Sequence, residues 1–257
     1  MRGMILFASV AIFVLGTIIA SFIGVVAARL YTGASILTGR SRCDACNAKL
    51  PPLALVPVIF YFASRGRAHC CGARLSLRAP ATELLLGALF ALSYLKLGAT
   101  LALVFALIAL SLLLALVLYD LAHQILPPPL LAAFVASSAL SGLSSAPSLM
   151  AFSGTLLTAL LIAASLTLVH YFSGGRAMGF SDAPLALGLA LFAGTFALTG
   201  FVFAFWVGAV IGIVVLLKRP KGSRMGVEVP FAPFLAAGFL LAYFTQWNLF
   251  AFALSGN

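Results

Sequence analysis

The stretch Leu101-Ala-Leu-Val-Phe-Ala-Leu-Ile-Ala-Leu-Ser-Leu-Leu-Leu-Ala-Leu-Val-Leu-Tyr-Asp120 decides the fold of this chain. None of the residues before Asp120 in it is charged. A helix needs about 20 such residues to cross the hydrocarbon core of a bilayer. The remaining sequence has the same character, because 63% of the 257 residues are hydrophobic and only 8% are charged. A soluble domain of this size does not have this composition. The sequence therefore predicts an all-α polytopic membrane protein.

Working outward from that stretch, we predict about eight transmembrane helices. The first apolar run is too long for the core of a signal peptide, so we interpret it as a retained helix. Tight turns at 98–100 and 198–200 must reverse the chain between neighbouring helices. Residues 1–97 would hold the first two helices and a cysteine-containing loop at 29–79, and residues 98–257 the other six helices. The predicted spans are 4–28, 80–97, 99–119, 127–141, 148–171, 182–197, 199–217 and 231–253.

The positions of the basic residues predict the orientation of these helices. Lys and Arg are enriched in the cytoplasmic loops of membrane proteins. With eight alternating spans, every basic residue except Arg2 and Lys96 falls on one side. That side is predicted to be the cytosol, so the cysteine loop is cytosolic and both termini lie outside. The net charge of +10 is then explained by topology, and we do not expect nucleic-acid binding.

Two aspartates lie at the cytosolic edge of predicted spans. Asp120 ends one apolar run, and Asp182 precedes another. If two carboxylates lie close together, they cannot both ionise comfortably, so one keeps its proton. The ionised one can then activate a water while the other donates a proton to a carbonyl group. The alternative is that each aspartate simply marks a helix end among the lipid headgroups. The chain has three other acids, Asp44, Glu83 and Glu228.

Motifs along nearly the whole chain resemble the type IV prepilin peptidase family. Around the two acids these are Asp120-Leu-Ala-His-Gln-Ile-Leu-Pro127, Met178-Gly-Phe-Ser-Asp182 and Val229-Pro-Phe-Ala-Pro-Phe234. In the N-terminal half they are Ala20-Ser-Phe-Ile23, Ser41-Arg-Cys-Asp-Ala-Cys46, Val56-Pro57, Arg65-Gly-Arg67 and Glu83-Leu-Leu-Leu-Gly87.

The resemblance implies an eight-helix enzyme of the bacterial inner membrane. Such an enzyme is an aspartic endopeptidase that removes the short basic leader from prepilins and pseudopilins, which serve type IV pili and protein secretion, on the cytosolic side of the lipid bilayer. Its two catalytic acids map onto Asp120 and Asp182, so residues 98–257 become the peptidase domain. Many members also methylate the new N-terminus with S-adenosylmethionine, and the resemblance implies that second activity here.

The chain departs from the family pattern near the second acid. The family has Gly-x-Gly-Asp where this chain has Gly179, Phe180, Ser181 and Asp182, and a serine lacks the backbone freedom of a glycine. Gly179 and Ser181 are candidate supporting or substrate-binding residues. Pro184 stands where the family commonly has Lys, and Pro128 where it commonly has Asp.

Two further polar residues are candidates for supporting roles. His123 follows Asp120 by three residues, so a continuing helix would place both on one face, where His123 could tune the acid. The alternative is an ordinary polar residue at the membrane interface. Glu83 is a candidate partner for Arg78 or for the amine of the substrate, or simply an acid favoured near a helix start.

The cysteines Cys43, Cys46, Cys70 and Cys71 lie in the predicted cytosolic loop, where a reducing environment favours metal binding over disulfides. They predict a structural zinc site, which takes four ligands in a tetrahedral arrangement. The first pair has ordinary Cys-x-x-Cys spacing. In the second pair, by the resemblance, Ala68 replaces the first cysteine, and His69 is an alternative ligand. A loop of free thiols is the other interpretation.

The sequence leaves two other functions open. In a proton- or ion-coupled transporter the two aspartates would bind the ion, but such acids usually lie near the middle of the bilayer rather than at one surface. An inactive homologue or scaffold is suggested by the departures at Ser181, Pro184 and Ala68.

Overall fold

The computed structural model describes residues 2–30, 46, 48, 58–176, 178–218 and 230–250. It separates into two compact units, Met1–Ala99 and Thr100–Asn257. The helices described are α1 Arg2–Arg29, α2 Ile59–Ala63, α3 Arg78–Leu97, α4 Leu101–His123, α5 Pro128–Ser145, α6 Leu149–Ser173, α7 Asp182–Ala193, α8 Ala197–Lys218 and α9 Ala232–Thr245.

Within the part of the chain that the structure describes, six helical stretches are long and apolar enough to cross a membrane. Five of them are α1, α3, α4, α5 and α6, and the sixth is Asp182–Val214, which contains α7, most of α8 and the short 3-10 turn between them. Helix α9 is shorter, since its 14 residues extend about 21 Å. The predicted all-α polytopic fold is confirmed, and the cysteine-containing region lies between α1 and α3.

The helix ends follow from local sequence chemistry. The hydroxyls of Thr100 and Ser148 cap the starts of α4 and α6 by accepting hydrogen bonds from backbone N–H groups. Helix α5 begins at Pro128. Proline is tolerated there because an N–H at the first position of a helix would have no hydrogen-bond partner within the helix. A helix boundary occurs where one was predicted near 98–100, since α3 ends at Leu97 and α4 begins at Leu101.

Two predicted boundaries are wrong. The break expected at 198–200 occurs instead at Gly194, whose φ of 63° and ψ of −128° suit a glycine. Gly200 lies inside α8 and serves packing, because a Cβ there would be 2.9 Å from the Cα of Phe239. The last helix was expected to reach residue 253 but ends at Thr245, where Gln246 adopts the left-handed conformation.

In the first unit, α1 packs directly against α3. The helices approach closely at two glycines, because a Cβ on Gly16 would lie 2.8 Å from the Cα of Gly87 and 3.0 Å from the carbonyl oxygen of Leu86. Small residues allow membrane helices to approach closely enough for backbone packing. The phenyl ring of Phe90 fills the same contact and is fully buried.

In the second unit, α7 is the central helix. It packs against α5, α6 and α9, and its Leu185 and Leu189 side chains are fully buried. Helix α9 also contacts α4 and lies along α8. Helix α6 by contrast exposes Leu157, Leu161 and Leu168 along its length. The arrangement brings the end of α4 and the starts of α7 and α9 into one unit around the central helix.

The glycine contact between α1 and α3 gives a test of the packing. We expect Gly16→Ala to lower the free energy of unfolding by about 1 to 3 kcal/mol, because the added methyl group meets backbone atoms of α3. The matched control is Gly24→Ala on the same helix, where a Cβ would have nothing within 4 Å. Unfolding of both variants in detergent micelles measures the difference. Equal stability of the two variants would contradict the close contact.

Candidate active site

Asp120 lies in the last turn of α4 and is buried, with 6% of its surface exposed. The backbone N–H of Ala232, the first residue of α9, hydrogen-bonds to its carboxylate. Free N–H groups at a helix start suit an anion, so the start of α9 provides a favourable position for this acid. The other carboxylate oxygen, Oδ2, is buried and has no hydrogen-bond partner among the described residues. One oxygen of Asp120 is therefore left for a proton or a water.

Asp182 is the first residue of α7 and is 8% exposed. Its Oδ2 accepts a hydrogen bond of 3.1 Å from the backbone N–H of Gly179. In return, the backbone N–H of Asp182 points to the carbonyl oxygen of Gly179 at 3.3 Å. These paired contacts close a tight turn that fixes the carboxylate at the helix start, where negative charge is favourable.

Asp120 and Asp182 lie within electrostatic range of each other in the folded unit. They are 62 residues apart in the chain and belong to different helices. Each carboxylate is buried and accepts a hydrogen bond from a backbone N–H. For Asp120 the donor is Ala232 at the start of α9, and for Asp182 it is Gly179 just before α7. Two neighbouring buried carboxyl groups do not both ionise readily, so one of them can keep a proton to donate while the other can accept one.

The departures beside Asp182 fit the backbone without strain. Ser181 has φ −67° and ψ −16°, which any residue adopts, so a glycine is not required there. Pro184 lies in the first turn of α7, where its missing N–H costs no helical hydrogen bond. Neither residue distorts the turn that holds Asp182.

Two histidines lie near the aspartates in the chain or in space. His123 ends α4 but is exposed, and its ring stacks on Tyr119 with centroids 4.4 Å apart. His170, in the last turn of α6, is half-buried and close enough to interact electrostatically with Asp182. His170 was not among the residues predicted from the sequence. The feature that could have indicated it is a histidine near the end of an apolar run, shortly before Gly174 and Gly175.

Glu83 is held by the backbone of its own unit. Its side chain is 7% exposed, and Oε2 accepts a 2.7 Å hydrogen bond from the N–H of Val58. Val58 immediately precedes α2 and has φ 59°, an unfavourable conformation for a β-branched residue. The contact therefore fixes the backbone at the start of α2.

Three of the four predicted metal ligands come together. The Sγ atoms of Cys46, Cys70 and Cys71 all lie within 4.8 Å of one another, and this cluster can hold a metal ion. The Sγ atoms of Cys46 and Cys70 are 3.2 Å apart, and those of the adjacent Cys70 and Cys71 are 3.9 Å apart. Cys43 lies outside the described residues.

A tight turn presents the second pair of cysteines. Arg67 and Arg74 form an antiparallel bridge, and inside it Ala68 accepts from the N–H of Gly72. Ala68 is buried, whereas His69 is exposed and packs against Phe60 with ring centroids 5.5 Å apart. Cys70 thus joins the cluster while Ala68 fills the interior of the turn.

The fold and the site together define a multi-pass helical membrane protein with a buried pair of aspartates. Comparison with known proteins gives the family. A model of the Bacterial Peptidase A24 N-terminal domain matches residues 14–97. The chain is similar to the prepilin leader peptidase/N-methyltransferase of Bacillus subtilis (strain 168), with 30% identity over 247 residues that cover 94% of this chain and 96% of that protein.

Two further relatives have the same name. The Myxococcus xanthus (strain DK1622) protein is 37% identical over 222 residues, covering 84% of this chain and 65% of the relative. The Burkholderia pseudomallei (strain K96243) protein is 31% identical over 256 residues, covering 88% and 81%. No solved structure matches this chain. The chain belongs to the prepilin leader peptidase/N-methyltransferase family.

The hydrogen bond between Glu83 and Val58 gives a test of the first unit. We expect Glu83→Ala to lower the free energy of unfolding by about 1 to 3 kcal/mol, because the N–H of Val58 loses its partner. Glu83→Gln is the control, since its side-chain oxygen can still accept that hydrogen bond. Unfolding in detergent micelles separates the two. If the alanine variant is as stable as the glutamine variant, the hydrogen bond does not hold this segment.

Proposed function

We propose that this protein is an aspartic endopeptidase that removes the basic leader from prepilins and pseudopilins. The observation that carries the proposal is the buried pair of carboxylates at Asp120 and Asp182, with one oxygen of Asp120 left without a hydrogen-bond partner among the described residues. The names of the relatives provide the substrate class.

The chemistry follows from the pair sharing a proton. The ionised carboxylate takes a proton from a water, and the resulting hydroxide attacks the carbonyl carbon of the scissile peptide bond. The protonated carboxyl group donates its proton to the carbonyl oxygen, which gives a tetrahedral diol. That intermediate collapses when the protonated carboxyl group donates to the peptide nitrogen, the other carboxylate takes the proton of one diol hydroxyl, and the carbon–nitrogen bond breaks. Both acids then return to the state with one shared proton.

The backbone donors prepare the pair for this reaction. The N–H groups of Gly179 and Ala232 each hold one carboxylate, so their positions are set before a substrate binds. Because both acids are buried, bulk water is excluded from the site and only the reacting water needs to enter. Asp120 and Asp182 are therefore the proposed catalytic residues, with Gly179 as a supporting residue that acts through its backbone.

The site is proposed to face the cytosol of the bacterial inner membrane. Support comes from the basic residues, since all except Arg2 and Lys96 fall on the side of the two acids when eight spans alternate. Both termini would then lie outside. Lys and Arg residues of a substrate leader are retained on the cytosolic side for the same reason. The enzyme site and the cleavage site would therefore lie at the same membrane surface.

Methylation of the new N-terminus is proposed as the second activity. It rests on the names of the relatives, which join the leader peptidase to an N-methyltransferase. The reaction would use S-adenosylmethionine as methyl donor, and we assign no residue of this chain to that cofactor.

Zinc is the proposed metal of the cysteine cluster. Thiolates are preferred zinc ligands, with zinc–sulfur distances of about 2.3 Å, and the three clustered sulfurs are close enough to share one ion. Cys43, which has Cys-x-x-Cys spacing to Cys46, is the proposed fourth ligand. The metal would cross-link the segments that carry Cys46 and Cys70, a structural role apart from the peptidase chemistry.

The acid pair is tested with Asp120→Asn and Asp182→Asn, which keep side-chain size but cannot take up or release the proton. Purified variants are mixed with a prepilin from the same genome, and leader removal is followed by gel and intact mass. We expect each change to lower the cleavage rate by roughly 10²- to 10⁴-fold. The wild-type product should also gain one methyl group when S-adenosylmethionine is added.

Thermal unfolding in detergent serves as the folding control for both asparagine variants. Normal cleavage by either of them would contradict the acid pair. If the wild-type enzyme cleaves none of the pilin-like proteins encoded with it, the peptidase function itself is refuted. Cleavage without added methyl groups would refute the second activity alone.

The zinc site is tested by metal analysis of the purified protein. We expect about one zinc per chain, and a clear loss of zinc in Cys46→Ser, Cys70→Ser and Cys71→Ser, because each removes one thiolate. His69→Asn is the control beside the cluster and should keep the metal. If Cys70→Ser keeps its zinc and His69→Asn loses it, then His69, and not Cys70, is the ligand.

A further inference from the structure

The segment that carries Asp182 to its position is attached to the end of α6. Helix α6 ends at Ser173, and Gly174 and Gly175 follow with φ of 59° and 76°. The N–H of Gly175 donates to the carbonyl oxygen of His170 at 2.9 Å. Glycines in the left-handed conformation end helices in this way. The backbone of His170 therefore anchors one end of this segment, of which the structure describes residues 173–176 and 178–181.

The side chain of His170 contacts the other end of this segment. Its Nδ1 lies 2.8 Å from the carbonyl oxygen of Met178. A carbonyl oxygen can only accept, so Nδ1 carries the hydrogen of this bond. The ring of Phe180 packs edge-on against the imidazole at a centroid distance of 5.6 Å. A histidine in the last turn of α6 thus holds the segment just before Asp182.

The peptide group that His170 contacts is the same one that contacts Asp182. The carbonyl of Met178 and the N–H of Gly179 belong to one planar amide, so they point in opposite directions. The carbonyl accepts from His170 and the N–H donates to Oδ2 of Asp182 at 3.1 Å. Rotation of this amide would break both bonds together. Hydrogen bonds in such a chain also strengthen one another.

From this arrangement we infer that His170 is a positioning residue, which orients the Met178–Gly179 amide so that its N–H holds the carboxylate of Asp182. The inference rests on the proposed peptidase function for its effect on rate. Its structural part, the hold on the segment 173–181, does not depend on that function.

Two substitutions separate the hydrogen bond from other roles of the ring. His170→Ala removes the donor, and we expect kcat for prepilin cleavage to fall by roughly tenfold or more, because small misplacements of a reacting group are costly. The KM should stay within about twofold of wild type, since His170 acts on the acid rather than on substrate binding. His170→Asn places an amide N–H where Nδ1 was and should restore most of kcat.

A second readout does not require activity. Arg176 is exposed within the segment, so limited trypsin digestion after it reports how firmly the segment is held. Cleavage after Arg176 should be several-fold faster in His170→Ala than in wild type and near wild type in His170→Asn. His123→Ala is the matched control and should be cleaved after Arg176 at the wild-type rate. His123 is exposed at the end of α4, where its ring contacts Tyr119.

The outcomes are distinct. Wild-type kcat in His170→Ala, or equal loss in the alanine and asparagine variants, would overturn the inference. If the wild-type enzyme proves inactive on prepilins, the proposed function fails, and the trypsin comparison still decides whether His170 holds the segment. Equal trypsin cleavage in wild type and His170→Ala would then overturn the inference.

Discussion

The hydrocarbon core of a bilayer has no water to hydrogen-bond with backbone N–H and C=O groups, so each segment that crosses it satisfies them within its own helix. Backbone donors are then free only where helices begin. The buried acids of this protein depend on that fact. Asp120 accepts from Ala232 at the start of α9, and Asp182 accepts from Gly179 just before α7. A carboxylate placed in the middle of these helices would find no such donor.

Helix packing brings these donors and acceptors together. Helix α7 lies at the centre of its unit against α5, α6 and α9, and α9 also contacts α4. The starts of α7 and α9 and the end of α4 therefore belong to one packed group. The motif Val229-Pro-Phe-Ala-Pro-Phe234 acquires a physical meaning from this arrangement, because its Ala232 provides the N–H that holds Asp120.

The departures of this chain from its family pattern have small structural consequences. Ser181 occupies an ordinary helical conformation, and Pro184 lies where a helix tolerates proline. The cysteine cluster has adapted differently, since Cys70 joins Cys46 and Cys71 while the buried Ala68 stands inside the turn. Ser181 and Pro184 are therefore compatible with the turn at Asp182, and three of the four cysteines lie close enough to share one metal ion.

The sequence by itself determined the membrane class and the order of the helices, because apolar length and charge are local properties. It also predicts Asp120 and Asp182 as the acid pair, from residue type and position at the ends of apolar runs. It placed the break between α7 and α8 incorrectly, since Gly194 and Gly200 look alike in sequence and differ only in backbone angle and in neighbours. Only the tertiary structure decided that Ala232 holds Asp120, that Glu83 holds Val58 and that His170 reaches Met178. Each of these contacts depends on how the chain folds and packs in three dimensions, which hydrophobic periodicity and residue spacing do not encode.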